Sequence, residues 1–190
     1  MKKIIFIIVL LISIIPVINA QTRTVAKGTG EFYMDAPSGT YIKDINNTFT
    51  PYLGTWKYQN GNEILTIKLE KVTKHYYPES GNYKDFIKGN YSYTINNGST
   101  YITNTIATNQ FLNESLLNSF YASGPDSEHL DTRFTDQVKQ KNGDAIFTFL
   151  PGSTTQLSFK INDIFRGYIF PEVPPTPGFS IPTNVVLTKQ

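Results

Sequence analysis

The sequence contains no cysteine. Disulfides, cysteine-ligated zinc and a lipid-modified cysteine are therefore excluded, so an exported form of this chain must be stabilised by core packing alone. The motifs of other metal and phosphate sites are also missing, because there is no His-Glu-x-x-His, no EF-hand loop and no Gly-Lys-Thr after a glycine-rich stretch. These absences predict a protein with no metal and no cofactor.

The sequence has little excess charge. It carries 17 Lys and Arg against 15 Asp and Glu, and loss of Lys2 and Lys3 would leave 15 basic residues, equal to the 15 acidic ones. Proteins that bind nucleic acids concentrate positive charge on one face. The sequence therefore predicts no nucleic-acid partner.

The N terminus has the layout of a secretory signal peptide. Lys2 and Lys3 precede an apolar run from Ile4 to Ile15, and Ala20 is a small residue at a plausible cleavage position. This run is shorter than the roughly 20 residues of a membrane-spanning helix. No second apolar run of that kind follows.

The signal peptide sets the expected domain organisation. We predict that residues 1–20 are removed and that residues 21–190 form a single domain, of a length that can bury a substantial core. The mature protein is predicted to be secreted or periplasmic, without a membrane span, and monomeric. Its first residues, 21–27, are polar and are expected to be mobile.

Alternating apolar and polar residues recur through the mature chain. In the segment 53–72, LGTWKYQNGNEILTIKLEKV, every second residue from Leu65 to Leu69 is apolar, which is typical of a half-buried strand. Asn-Gly dipeptides favour tight hairpin turns. Three of them separate such segments: Asn60-Gly61, Asn97-Gly98 and Asn142-Gly143.

This pattern predicts an all-β fold, an antiparallel meander that closes into a calycin-like barrel or a sandwich. At most one short helix is expected, within residues 109–124, where a strand fits nearly as well. Residues 124–132 are predicted to form a polar loop, 165–170 a short strand and 171–178 a stiff proline-rich loop.

The only tryptophan, Trp56, lies in a Gly-Thr-Trp step that opens the first strong strand. This step resembles the Gly-x-Trp signature of the calycins, the lipocalins and their relatives. The resemblance implies that Gly54, Trp56 and Lys189 are structural residues, with the indole closing one end of a barrel beside the lysine. An arginine is more usual at the last position, and an ordinary core tryptophan is the alternative.

A second resemblance covers nearly the whole mature chain. The segments 41–72, with Gly-Thr-Trp-Lys-Tyr, and 181–190, with Pro-Thr-Asn-x-Val-Leu-Thr-Lys, resemble a family of small exported bacterial domains of unknown function, of a type common in Bacteroidetes-like bacteria. The resemblance implies an exported bacterial protein. The resemblance implies no particular activity.

Only one stretch gathers an acid, a hydroxyl and an imidazole. His129 lies among Ser127 and the carboxylates Asp126, Glu128 and Asp131, which suits a hydrolase or a calcium site in composition. Adjacency in a loop does not create catalytic geometry, and no Gly-x-Ser-x-Gly elbow is present. A solvated turn is the plainer interpretation. The other histidine, His75, is predicted to be a surface residue beside a turn.

Tyrosine is abundant, with 12 in the chain. Five of them cluster in sequence: Tyr76, Tyr77, Tyr83, Tyr91 and Tyr93. Exposed rings could stack on sugars, whereas strand edges that meet water favour tyrosine for structural reasons alone.

Three functions follow from these observations, and the sequence favours a binding or structural protein over an enzyme. The first is an exported barrel that holds an unknown ligand, for example a small apolar molecule, or serves a structural role. The second is a surface or carbohydrate-binding module that uses exposed tyrosines. The third is a hydrolase centred on His129. A deep apolar cavity, an aromatic strip or a Ser–His–Asp cleft would distinguish them.

Overall fold

The computed structural model describes residues 23–26, 36–108, 119–125, 128–162 and 177–190. Four predicted features lie wholly or partly outside the described residues: the signal peptide, the strand at 165–170, the proline-rich loop up to residue 176, and residues 109–118 of the ambiguous segment 109–124.

Eleven strands run through the described residues in chain order. They are β1 Thr24–Ala26, β2 Tyr41–Lys43, β3 Gly54–Asn60, β4 Glu63–Tyr77, β5 Asn82–Ile95, β6 Thr100–Asn104, β7 Phe120–Ala122, β8 His129–Asp136, β9 Lys141–Phe149, β10 Gln156–Asn162 and β11 Asn184–Lys189. A 3₁₀ turn at Thr50–Tyr52 and a single helical turn at Thr105–Thr108 complete the described elements.

Eight of these strands form a closed antiparallel barrel. The order is β5-β4-β3-β11-β10-β9-β8-β7, and β7 pairs with β5 to close the ring. The last strand, β11, pairs with β3, the first strand of the barrel in chain order, for example through Lys189 and Trp56. The predicted all-β meander is therefore confirmed, as a barrel rather than a sandwich. Closure satisfies the strand edges that an open sheet would expose.

The alternating segments face the barrel interior as predicted. Leu65, Ile67 and Leu69 of β4 are at most 1% exposed. Leu157, Phe159 and Leu187 on the facing strands are fully buried as well. Period-two patterning therefore positions the core correctly.

The structure differs from the predicted positions of two Asn-Gly turns. The first lies one residue later than predicted, because Asn60 still pairs with Glu63 and Gly61 takes the positive φ of 54° that begins the turn. The turn predicted at Asn142-Gly143 is wrong, since both residues lie inside β9.

The third turn spans residues 137–140 instead. The Asp136 carboxylate accepts the backbone N–H groups of Val138 and Lys139 and so bends the chain earlier. Gly143 is needed for close packing, because a Cβ there would lie 2.7 Å from the Phe179 ring. A glycine after asparagine thus served packing and not a turn.

Two further predictions about loops are wrong. Part of the polar start, Thr24–Ala26, forms a short strand parallel to β2. The end of the predicted polar loop, from His129 onward, belongs to β8 and pairs with β9. Both segments pair with a neighbouring strand, and the polarity of a short segment does not predict such pairing.

The β4–β5 hairpin extends beyond the barrel. The pairing of β3 with β4 ends at Leu69, and the pairing of β7 with β5 ends at Ile87. Beyond these points, residues 70–86 form what we call the hairpin extension, in which β4 and β5 pair with each other and β2 adds to β5. The hairpin extension contains several buried or half-buried polar side chains, among them Lys71, Lys84 and Asp85.

Candidate functional site

The barrel interior is filled by aromatic side chains. Phe120 of β7 lies 4.9 Å from Phe134, 5.7 Å from Phe147 and 6.1 Å from Phe159, measured between ring centroids. Tyr91 of β5 lies 6.1 Å from the same ring. An eight-stranded barrel can either be filled by its own side chains or hold one small ligand, and here aromatic rings occupy the described interior. The described interior therefore lends no support to the predicted apolar ligand.

The end of the barrel near the start of β3 is closed around Trp56. The indole is fully buried, and its Nε1–H donates to the Tyr52 carbonyl at 2.7 Å. The Lys189 Nζ lies 5.1 Å from the indole centroid and donates to the Pro51 carbonyl at 3.1 Å. Lys189 thus bridges the 3₁₀ turn and the tryptophan.

Gly54 permits this close approach. Its φ is +117°, where residues with a side chain are strained, and a Cβ there would lie 3.4 Å from Cε of Lys189. The three residues singled out from the Gly-x-Trp resemblance thus lie together at one end of the barrel.

Two buried carboxylates lie at the same end, where the chain before β3 meets the hairpin extension. Asp85 is fully buried and Asp44 is 3% exposed. The Lys71 Nζ lies 2.9 Å from Asp44 Oδ2 and 3.5 Å from Asp85 Oδ2, and 5.3 Å from the Phe49 ring centroid. One lysine therefore joins both carboxylates.

Hydrogen-bond donors surround Asp85. Its Oδ1 accepts from the Tyr41 hydroxyl at 2.6 Å and from the Lys74 N–H at 2.9 Å, and its Oδ2 accepts from the Asp44 N–H at 3.0 Å. Burial alone would raise the pKa of Asp85, but these donors and the charge of Lys71 outweigh it and hold the pKa below its ordinary value.

Asp44 and Tyr41 are shifted by the same environment. Burial opposes ionisation of Asp44, yet hydrogen bonds from Lys71 and Thr48 lower its pKa overall. Burial and the neighbouring Asp85 raise the pKa of Tyr41 well above its ordinary value. Tyr41 therefore stays protonated at neutral pH, so it is suited to donating a hydrogen bond and not to acting as a base.

Three tyrosines form a row across the hairpin extension. Tyr83 pairs directly with Tyr76 of β4 on one side and with Tyr41 of β2 on the other. Direct cross-strand partners share one face of a sheet. We call this row, Tyr41–Tyr83–Tyr76, the tyrosine strip. The Tyr76 and Tyr83 rings lie 5.2 Å apart, and Tyr76 is 47% exposed.

A β-bulge directs Lys74 onto this strip. The β4–β5 register shifts between Val72 and His75, and Lys74 has a φ of +52°. Its Nζ lies 5.4 Å from the Tyr83 ring centroid and 5.9 Å from that of Tyr41. An ammonium group thus covers two of the three rings and leaves Tyr76 as the exposed one.

The opposite parity of the same strands carries a second aromatic group. His75 lies 5.2 Å from Tyr77 and 5.5 Å from Phe86, and the Tyr77 and Tyr121 hydroxyls are 3.0 Å apart. His75 was predicted to follow the strand, but it lies within β4 and pairs with Lys84.

Lys84 is largely buried beside this aromatic group. Burial lowers the pKa of Lys84, whose Nζ donates to Ser123 Oγ at 2.6 Å. The remaining clustered tyrosines, Tyr91 and Tyr93, are buried in the barrel. Only Tyr76 and Tyr83 of the five predicted candidates belong to the strip.

The predicted hydrolase site is only partly described. His129 Nε2 lies 3.3 Å from Asp131 Oδ2 on β8, and the Asp131 side chain is 65% exposed. Asp126 and Ser127 lie outside the described residues. Among the described residues, no group of three His, Cys, Asp or Glu side chains is arranged to hold a metal ion. The described geometry therefore assembles neither a catalytic triad nor a calcium site.

Sequence reasoning missed Tyr41, Lys74 and the carboxylates because they come from three separate segments. One signal was present: Tyr-Tyr-Pro-Glu-Ser-Gly-Asn-Tyr, at 76–83, has turn residues between tyrosines that would face each other across a hairpin. Nothing local identifies β2 as the third strand.

Comparison with known families matches the chain along its full length. A family model described as a family of unknown function, DUF6705, matches residues 1–190. The chain belongs to this family. Comparison with curated proteins found no match, and comparison with solved structures found none either.

The family match confirms one part of the second resemblance, membership of a family of unknown function. It does not bear on the bacterial group or on the terminal motifs. The calycin resemblance likewise has no support from the comparisons. No helix among the described residues is long and apolar enough to cross a membrane.

Proposed function

We propose that this β-barrel domain is a carbohydrate-binding module whose site is the tyrosine strip on the hairpin extension. The observation that carries the proposal is the direct cross-strand row of Tyr41, Tyr83 and Tyr76, in which Tyr76 is 47% exposed. The predicted export of the chain would bring this strip to polysaccharides outside the cytoplasm.

Sugars suit such a surface for physical reasons. A tyrosine ring offers a flat apolar face and a hydroxyl at its tip, so it can stack on the C–H face of a pyranose while the rim stays polar. Tyr76 has the exposed ring, and Tyr83 supports it at a tilt of 47°. A ring braced by a neighbour loses less side-chain entropy when a ligand binds.

The bulge at Lys74 supports the same location. A residue other than glycine at positive φ costs free energy, and such strain clusters at binding sites, where bulges re-aim side chains. Here the strained residue is the one whose ammonium group reaches two rings of the strip. The aromatic rings that occupy the described barrel interior favour the hairpin extension over an internal ligand site.

Affinity electrophoresis in gels that contain soluble β-glucan, xylan, mannan or polygalacturonate tests the proposal. We expect at least one polysaccharide to retard the wild-type protein. Tyr76→Ala should abolish the retardation, because it removes the exposed platform. Tyr101→Ala is the matched control, since Tyr101 on β6 is 59% exposed but lies off the strip.

Two results would contradict the proposal. One is a wild-type protein that none of the four polysaccharides retards. The other is a Tyr101→Ala variant that loses retardation as fully as Tyr76→Ala, with both variants folded by circular dichroism.

A further inference from the structure

Lys74 carries an exposed positive charge without a carboxylate partner. Within the described part of the chain its Nζ makes no ion pair, and its contacts are the faces of Tyr41 and Tyr83. Lysine at an exposed strand position usually extends into solvent, whereas here the bulge holds it over the strip. The position of this charge calls for an explanation beyond solubility.

We propose that Lys74 selects an acidic saccharide, one that bears a carboxylate or a sulfate. This inference rests on the proposed carbohydrate-binding function. A sugar ring stacked on Tyr76 would lie beside Tyr83, whose ring centroid is 5.4 Å from the Lys74 Nζ. An anionic substituent on that sugar, or on its neighbour in the chain, then meets the ammonium group. Lys74 is a specificity-determining residue in this arrangement.

The charges around the strip agree with an anionic ligand. The carboxylates of Asp44 and Asp85 are buried and are turned toward Lys71 and hydrogen-bond donors. Lys43 is exposed and follows Tyr41 by two residues in β2, so it lies on the same face of that strand. Against these two lysines, Glu79 in the turn between β4 and β5 is the exposed acidic residue of the hairpin extension beyond residue 70.

A matched pair of probes isolates the charge. Oligogalacturonate and its fully methyl-esterified form share one sugar backbone and differ in the carboxylate. Dextran sulfate and dextran provide the corresponding pair for sulfate. Isothermal titration at about 10 mM salt, where the Debye length is roughly 30 Å, maximises the contribution of an exposed charge.

We expect the wild-type protein to bind one acidic probe more tightly than its neutral partner. Lys74→Gln should weaken binding of that acidic probe roughly 1.5- to fivefold, which is the range of an exposed ion pair, and leave the neutral probe unchanged. Lys160→Gln, at an exposed position on β10, is the control and should change neither. The carboxylate and sulfate pairs show which anion is recognised.

The failures are distinguishable. Equal affinity for the acidic and neutral members of both pairs, with binding lost in Tyr76→Ala, would overturn the acidic selectivity and leave the carbohydrate function standing. Unchanged binding of the acidic probe by Lys74→Gln would overturn the role of Lys74. Absence of binding to all four probes would overturn the acidic selectivity, while retardation by β-glucan, xylan or mannan would still support the carbohydrate function.

Discussion

In the barrel, Trp56, Tyr91 and Phe120 are fully buried, whereas in the hairpin extension Tyr76 keeps 47% of its surface exposed. In both regions β4 and β5 pair in antiparallel orientation, and in the extension β2 adds to β5 in parallel. In the barrel, however, the interior parity faces other strands across the ring, and in the extension that parity faces buried polar groups and then solvent. Closure of the sheet, more than the residue types on its strands, thus decides whether an aromatic row stabilises the fold or is available to a ligand.

The same contrast holds for charge. The cation at the barrel end, Lys189, lies over a buried indole and is tied to a backbone carbonyl. The cation of the strip, Lys74, lies over partly exposed rings and is held there by a strained backbone. If this division of roles is right, substitutions in the barrel should change stability, and substitutions in the strip should change binding.

The largest effect is expected for Trp56→Ala. Removal of a fully buried indole leaves a cavity and should lower the free energy of unfolding by about 3–5 kcal/mol. Urea unfolding followed by circular dichroism measures the change, with Val186→Ala as a control, because Val186 on β11 is 44% exposed. The control should shift stability by less than about 0.5 kcal/mol.

The wild-type protein offers an independent check on Trp56. Since it is the only tryptophan, its emission reports on one position. An emission maximum typical of water-exposed indole, with ready quenching by iodide, would contradict the closed barrel end and remove the contrast between the two regions.

The position of Trp56 illustrates what sequence patterns predict well. Period-two alternation and turn dipeptides are local, so the barrel strands and their buried parity follow from short segments. The pairing of β11 with β3, in contrast, joins segments that are far apart in the chain, and no local pattern predicts it. Among the turns, the prediction at Asn142-Gly143 was wrong. The Asp136 side chain places the turn earlier in the chain, and Gly143 is required for packing against Phe179.

The tyrosine strip could not be predicted in the same way. Its three rings come from residues 41, 76 and 83. Its polar support joins Asp44, which follows β2, to Lys71 of β4 and Asp85 of β5. A bulge changes which side chains share a face, and no local pattern in the sequence identifies it. Residues that cluster along the chain need not cluster in the fold: Tyr91 and Tyr93, which the sequence grouped with Tyr76 and Tyr83, are buried in the barrel.

The buried carboxylates predict an acid-sensitive hairpin extension. A carboxyl whose pKa is lower in the folded state stabilises the fold above its unfolded pKa of about 3.9, and this contribution is lost as the pH falls through the folded value. The free energy of unfolding should therefore fall as the pH is lowered below about 5. Urea unfolding across this pH range measures it.

Asp85→Asn separates this contribution from the rest of the chain. The variant should be about 2 kcal/mol less stable at pH 7, since an amide cannot accept from all the donors that surround Asp85. The difference from wild type should narrow as the pH falls below about 3.9, because the unfolded carboxyl then binds a proton that the folded carboxyl, with its lowered pKa, still resists. Asp131→Asn, at an exposed position, should retain the wild-type profile. A difference that stays constant with pH would show that the charge of Asp85 does not stabilise the extension.

The smallest effect concerns the strained backbone at Lys74. At a φ of +52° glycine is free of the Cβ clash that other residues meet, so Lys74→Gly should be more stable than Lys74→Ala by about 0.5–1 kcal/mol. Both variants lose the same ring contacts, and their difference therefore isolates the backbone. At Lys68, in the regular part of the same strand, the order should reverse, with alanine the more stable by about 0.5–1 kcal/mol.

The sign of that difference bears on function. If glycine is preferred at position 74, the wild-type chain carries a lysine where its backbone is strained, and the bulge is kept for the side chain that it directs over Tyr41 and Tyr83. If alanine proves as stable as glycine there, the backbone stores no strain. Lys74 would then be an ordinary surface lysine beside the tyrosine strip. The structural argument for a binding site on the hairpin extension would depend on the exposed ring of Tyr76 alone.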